Sequence, residues 1–257
     1  MDYRLDMSHG IDEPPVQNFC PDSWTWDLET KSHECRLEGD GFRRSFFHPN
    51  WSNGTAGVRG TKALNGGHYY WEIQINNRVF GTSMMVGIGT KQARTHVDAF
   101  VNLLGENQFS WGLSHKGLTW HMGVSQIYTK PFPENQSTTI GVYFDGIQGT
   151  LSYYKDGIYL GVAFDGLDNV KEELYPMMSS TAAKTIMTLT SAWREMSTLQ
   201  ERCRLVIMKS LQGSVKGVEE LNLPRSLKAY LCDLNKIKVG FIPEYYNSGV
   251  CLREENL

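Results

Sequence analysis

Along the first three-quarters of the chain, apolar residues come in short runs broken by Gly, Asn and Asp. His68-Tyr69-Tyr70-Trp71-Glu72-Ile73-Gln74-Ile75 ends in strict alternation, which places Trp71, Ile73 and Ile75 on one face of a strand. Met84-Met85-Val86-Gly87-Ile88-Gly89 reads as a fully buried strand whose glycines admit a close neighbour. Ile140–Phe144 and Thr150–Tyr154 flank Asp145-Gly146-Ile147-Gln148-Gly149, a hairpin signal, and Lys155-Asp156-Gly157 then turns the chain into Ile158–Phe164. Many short strands at this spacing predict a mainly β fold, an antiparallel sandwich, and argue against βαβ units.

From about Ser191 the period changes to a helical one. Thr198-Leu199-Gln200-Glu201 has the form of a capping box, in which the Thr hydroxyl and the Glu carboxylate each satisfy a free backbone N–H. Leu199, Cys203, Val206, Ile207 and Leu211 follow at helical spacing on one broad face, with Gly213 as a stop. A second helix is expected from Pro224, with Leu227, Tyr230, Leu231 and Leu234 as its stripe. Two helices this short cannot close a core by themselves, so their apolar faces must meet either the sandwich or a partner. The spacing leaves both readings open.

Composition adds class. With 12% aromatic residues and 25 Gly, the chain suits an all-β fold rich in turns. A net charge of −3 without a basic stripe argues against nucleic acid as a partner. No apolar run approaches the roughly 20 residues of a spanning helix, and MDYRLDMSHG lacks a signal-peptide core, so no membrane partner is expected. The five cysteines are odd in number and scattered, the pattern of reduced thiols, and a cytoplasmic and/or nuclear location is expected. The triplets at Asn50, Asn53 and Asn135 would then carry no glycan.

Catalytic chemistry finds no foothold. HExxH, P-loop, GxSxG and a strand-borne GxGxxG are all missing, the seven His stand singly, and the nearby His115 and His121 have no cysteine or carboxylate at ligand spacing. Asp145 and Asp156 precede glycines and read as turn formers, not as an acid–base pair. No catalytic residue, metal site or cofactor is expected. A lectin-like sandwich or an unrecognised hydrolase stays open as another class.

Six pieces between Trp24 and Thr190, in family order, resemble a SPRY (B30.2-type) domain: Gly57–Gly60, Gly67–Glu72, Met85–Gly89, Ser110–Leu113, Gly149–Tyr154 and Leu174–Pro176. Ser191–Leu234 resembles a SOCS box, with Thr198–Ile207 similar to the elongin C-binding box and Leu221–Leu227 to the cullin-5 box. That order belongs to the SPRY domain-containing SOCS box family. It implies an N-terminal segment (1–22), a SPRY domain (23–190), a SOCS box (191–234) and a C-terminal tail (235–257).

What the resemblance implies is a receptor subunit of a cullin-RING E3 ubiquitin ligase, not an enzyme. Leu199, Cys203, Val206 and Ile207 would contact elongin C, itself bound to elongin B. Leu221, Leu223, Pro224 and Leu227 would contact cullin-5 with its RING subunit. Asn222, where the family often has Pro, keeps cullin-2 in play. A degron-bearing substrate, recognised through a short Asn-containing peptide, would sit on loops carrying His48, Asn50, Gly81, Thr82, Phe100, Leu103, Leu104, Thr181 and Ala182. Relatives have a basic, Pro-containing first loop and a Val-Trp-Gly segment. Here these are His48-Pro49-Asn50-Trp51-Ser52 and Thr181-Ala182-Ala183, so a shifted peptide preference is expected. Phe100 and Leu103 could instead belong to the core. The alternative to a ligase subunit is a SPRY interaction scaffold whose helices only cap the fold.

Overall fold

Alternation along the chain becomes strands wherever one face can be buried against a second sheet. The computed structural model describes residues 19–64, 66–195, 199–211 and 214–232. These fall into two compact units, 19–205 and 206–232.

The first unit is a sandwich. Its early strands are β1 (Phe19–Pro21), β2 (Cys35–Glu38), β3 (Arg44–Phe47), β4 (Thr55–Arg59), β5 (His68–Ile75), β6 (Met84–Gly89) and β7 (His96–Val97). Its later ones are β8 (Ser110–Ser114), β9 (Leu118–His121), β10 (Val124–Ile127), β11 (Thr138–Asp145), β12 (Thr150–Lys155), β13 (Ile158–Phe164), β14 (Tyr175–Ser180) and β15 (Thr185–Glu195). One antiparallel sheet runs β13-β12-β11-β5-β15-β3-β2, with β1 paired to β15, and the other runs β10-β9-β8-β6-β14-β4-β7. Edge strands β13 and β10 each have a single partner strand.

The inner faces meet as the alternation predicts. Trp71, Ile73 and Ile75 are buried, against Ile140 and Val142 of the neighbouring strand and Val86 and Ile88 of the opposite sheet. The β6 glycines behave as expected: a side chain at Gly87 would run into the Trp111 carbonyl of β8. The β11–β12 hairpin forms as predicted, Asp145 Oδ1 accepting from the Ile147 and Gln148 N–H groups at 2.9 and 2.8 Å.

The sheet extends beyond the expected 23–190 boundaries at both ends. β1 pairs Phe19 with Glu195, and β15 continues through residue 190. A register shift between Leu189 and Ser191 explains why the alternation was lost there. Met187 and Leu189 point inward at odd positions, whereas Ala192 is buried at an even one.

Beyond the sandwich lie α1 (Leu199–Ser210), α2 (Val215–Glu220) and α3 (Arg225–Cys232). The capping residue Thr198, the stop at Gly213, Leu234 and the 235–257 tail lie outside the described residues. The short α2 was not expected, because Gly217 interrupts it and its apolar residues are few; Ser214 caps it by accepting from Gly217 N–H at 3.1 Å. Val218 of α2 and Leu231 of α3 are buried. Pro224 precedes α3 and is not its first helical residue; its carbonyl accepts from the Leu227 and Lys228 N–H groups.

Candidate functional site

The loops after β3, β5 and β14 and the segment after β7 gather at one end of the sandwich, and buried polar groups stitch them together. His48 is central. Its side chain is fully buried, its backbone N–H donates to the Glu34 carbonyl at 2.8 Å, and its own carbonyl accepts from Lys184 N–H at 3.0 Å. Nε2 lies 3.1 Å from the Ser180 carbonyl, and Nδ1 lies 3.3 Å from the Asn53 backbone N–H. A carbonyl can only accept and an N–H can only donate, so the ring is the neutral Nε2–H tautomer. Burial pushes its pKa below the ordinary 6.5, against the opposing pull of the Ser180 carbonyl and Glu34.

The other loops lock in the same way. Thr181 Oγ1 accepts from Ser83 N–H and donates to the Ser83 carbonyl, both at 3.0 Å. Gly81 lies directly over Thr181 and Ala182, where a side chain would be 3.3 Å from each. Thr55 Oγ1 donates to the Ala99 carbonyl at 2.7 Å and accepts from Val101 N–H at 3.0 Å. Gly54, at φ +72°, lets the first loop lie against Val97 and Asp98; any side chain there would strike the Val97 carbonyl.

This frame divides the nine expected peptide-contact residues. Asn50, Gly81, Thr82 and Phe100 are exposed. His48, Leu103, Leu104, Thr181 and Ala182 are buried and hold the loops in place. Leu103 and Leu104 belong to a small second core with Met85, Ala93 and Met177 on the outer side of the second sheet. The reason is energetic. The segment between β7 and β8 covers the outward side chains of β6 and β14, and burying each Leu there contributes about 2 kcal/mol.

Trp51 is the residue that sequence reasoning passed over as an individual contact. It is 84% exposed, and Phe100 is 52% exposed on the adjoining segment. Its signal was a Trp inside Pro49-Asn50-Trp51-Ser52-Asn53, a turn with no apolar partner at strand spacing. Two large aromatics left open on loops fixed by buried hydrogen bonds suit peptide recognition, because rigid aromatic anchors lose little entropy on binding.

The helices display a second surface. On α1, Leu199 is 78% and Val206 70% exposed, Cys203 is exposed and Ile207 is half-buried. Among the described side chains of that helix, the buried one is Arg204. A helix capping a core would do the reverse. Before and within α3, Pro224 and Leu227 are exposed, and Leu221 and Leu223 half-buried.

Known proteins match both parts. Residues 68–192 match the SPRY domain family and residues 195–232 the SOCS box family. SPRY domain-containing SOCS box protein 3 of Xenopus laevis is 38% identical over 221 residues, covering 85% of this chain and 59% of the relative. SPRY domain-containing SOCS box protein 1 of Homo sapiens is 31% identical over 247 residues, covering 89% of this chain and 86% of the relative. The chain thus spans under two-thirds of the length of the Xenopus relatives, 59% and 57%. The SPRY domain of human HERC1 is similar in fold, with a TM-score of 0.51 at 20% identity, covering 65% of this chain and 97% of that domain.

Proposed function

The chain belongs to the SPRY domain-containing SOCS box proteins, and from that membership we propose that it is the substrate-recognition subunit of a cullin-RING E3 ubiquitin ligase. The SPRY loops around Trp51 and Phe100 take a short, Asn-containing degron. The exposed stripe Leu199, Cys203, Val206 and Ile207 docks on elongin C, which carries elongin B. Leu221, Leu223, Pro224 and Leu227 meet cullin-5, whose RING subunit brings the charged E2. The chain performs no bond chemistry: it holds a target within reach of the E2, and ubiquitination then marks the target for the proteasome. It works in the cytoplasm or the nucleus.

One observation carries this reading: Leu199 and Val206 stand in solvent while Arg204 is buried. Burying Leu199 in a partner pocket is worth about 2 kcal/mol, a gain this fold leaves unused. The helix-in-groove mode fits, since the exposed residues recur at i, i+4 and i+7.

Co-purification tests it. The full chain should capture elongin B and C from a mixture of purified adaptors, and Leu199→Asp with Cys203→Asp should abolish capture. Capture by the double variant would overturn the interface. Failure of the unaltered chain to capture would favour a scaffold whose helices serve only the fold.

A further inference from the structure

The two edge strands on one side of the sandwich, β10 and β13, leave an open groove of about 690 Å³ between the sheets. It is walled by Val124 and Gln126 of β10, Val162 and Phe164 of β13, and by His121 and Asp165. Tyr128 Oη–H donates to the Gly161 carbonyl at 2.6 Å and ties the two edges together. This side lies away from Trp51 and Phe100, whose loops join other strands.

Edge strands are ordinarily guarded by charge, proline or a bulge, because their free N–H and C=O groups template a further strand. β10 has none of these guards. Between Lys116 and Lys130 the chain carries no Asp, Glu, Lys or Arg, and β13 carries none either. All four residues of β10 are exposed, Ile127 at 90%. The β9–β10 hairpin closes on the Met122-Gly123 turn with His121 opposite Val124, so the ladder's alternation turns the N–H and C=O of Ser125 and Ile127 outward.

The groove's polar side chains are Thr119, His121, Gln126 and Asp165. His121 Nδ1 lies 2.9 Å from the Ser110 carbonyl, so that nitrogen donates to it; the ring stacks flat on Trp111, with centroids 4.5 Å apart. Asp165 is the groove's single formally charged side chain and has no ion-pair partner among the described residues.

We propose that this groove is a second docking site, independent of the loop surface, for an extended partner segment in which apolar residues alternate with lysine or arginine. The segment adds a strand to β10 through the Ser125 and Ile127 backbone groups. Its apolar side chains enter between Val124 and Val162, and a basic side chain pairs with Asp165. Charge selects this occupant. An acidic segment would meet the lone carboxylate, and a purely apolar one would leave it buried without a partner.

The probe is a labelled octapeptide of alternating valine and lysine, titrated by fluorescence anisotropy onto the full chain, with backbone amide shifts followed by NMR. Saturable binding is expected, with shifts at Ser125, Ile127 and Val162. Asp165→Lys should weaken it about tenfold or more, and so should N-methylation of alternate peptide amides, whereas Phe100→Ala should leave it unchanged. Absent binding, equal binding of the valine–glutamate peptide, or binding indifferent to both Asp165→Lys and N-methylation overturns the proposal. Loss with Phe100→Ala assigns the peptide to the loop surface and also overturns it. A variant ending at residue 234 is the last arm. If the peptide binds only to that variant, the groove serves the chain's own tail and not a separate partner.

Discussion

His68 opens β5 and Glu195 closes β15, and the two side chains meet through Nδ1 and Oε2 at 2.5 Å. On the other side of the ring, Asp145 Oδ1 lies 3.3 Å from Nε2. All three groups are nearly inaccessible to solvent, and they tie the start of β5 to its neighbours β11 and β15. Burial alone would lower the His68 pKa; hydrogen bonds donated by the ring to both carboxylates, and their charges, outweigh it and push the pKa up to about 9. The ring is therefore an imidazolium at neutral pH, fixing the strand from which the chain leaves the sandwich.

A group whose pKa is raised on folding stabilises fully below its unfolded value, near 6.5 for His, and that stability is lost as pH rises through about 9. Urea unfolding of the full chain should therefore show a decline between pH 6.5 and 9.5, on the order of 3 kcal/mol. His68→Gln should be less stable at pH 7 and should flatten that alkaline limb. An unaltered limb in the variant would place the titration elsewhere.

The strands that hold this cluster were readable because each buries one face. Trp71, Ile73 and Ile75 sit at a strict period of two, and Asp145-Gly146 announces a turn. Legibility ended where two constraints compete. The register shift at Leu189 and Ser191 changes which parity points inward, so the sheet outlasted its own pattern to Glu195. Leu103 and Leu104 look like loop residues because the core they fill, around Met85 and Met177, forms only when distant strands meet. The α1 stripe showed its spacing, yet spacing alone leaves cap and partner surface equivalent. Exposure separates them.

The buried His48 ring gives the opposite pH response. Its pKa is lowered on folding, so its contribution is intact above about pH 6.5 and falls as pH drops below that value. Protonation puts a proton on Nδ1, where the Asn53 N–H now donates, in the presence of Glu34 and His96 nearby. The Trp51 loop should loosen with it. Trp51 fluorescence quenching by acrylamide should therefore increase between pH 6.5 and 5. His48→Asn, which tolerates the backbone φ of +46° at this position, should not show that step.

Thiol chemistry should report the α1 surface directly. Cys35, in β2 opposite Phe47 of β3, is buried and burial pushes its pKa up to about 12, so its thiolate is scarce at neutral pH. Cys203 is exposed on α1. Iodoacetamide labelling read by peptide mass spectrometry should modify Cys203 readily and Cys35 only after unfolding. Adding elongin B and C should slow labelling at Cys203, and labelling unchanged by the adaptors would place their contact elsewhere.

Leu104 and Phe100 stand four residues apart and should separate folding from recognition. Leu104 is fully buried between Met85 and the β8 backbone, where the side-chain position at Gly112 would lie 2.6 Å from Leu104 Cβ. Leu104→Ala should destabilise the sandwich by about 2–5 kcal/mol, through lost transfer energy and the cavity left behind. Phe100 is half in solvent, so Phe100→Ala should change stability by about 0.5 kcal/mol or less. Binding should follow the reverse order. A degron peptide selected on the full chain should lose affinity about tenfold or more in Phe100→Ala, the penalty expected of an aromatic anchor. The Leu104→Ala protein that remains folded should bind nearly as before, because that side chain is buried in the second core. If Leu104→Ala weakens binding in the folded fraction as much as Phe100→Ala does, the second core is coupled to the loop surface and the division drawn between frame and contact is wrong.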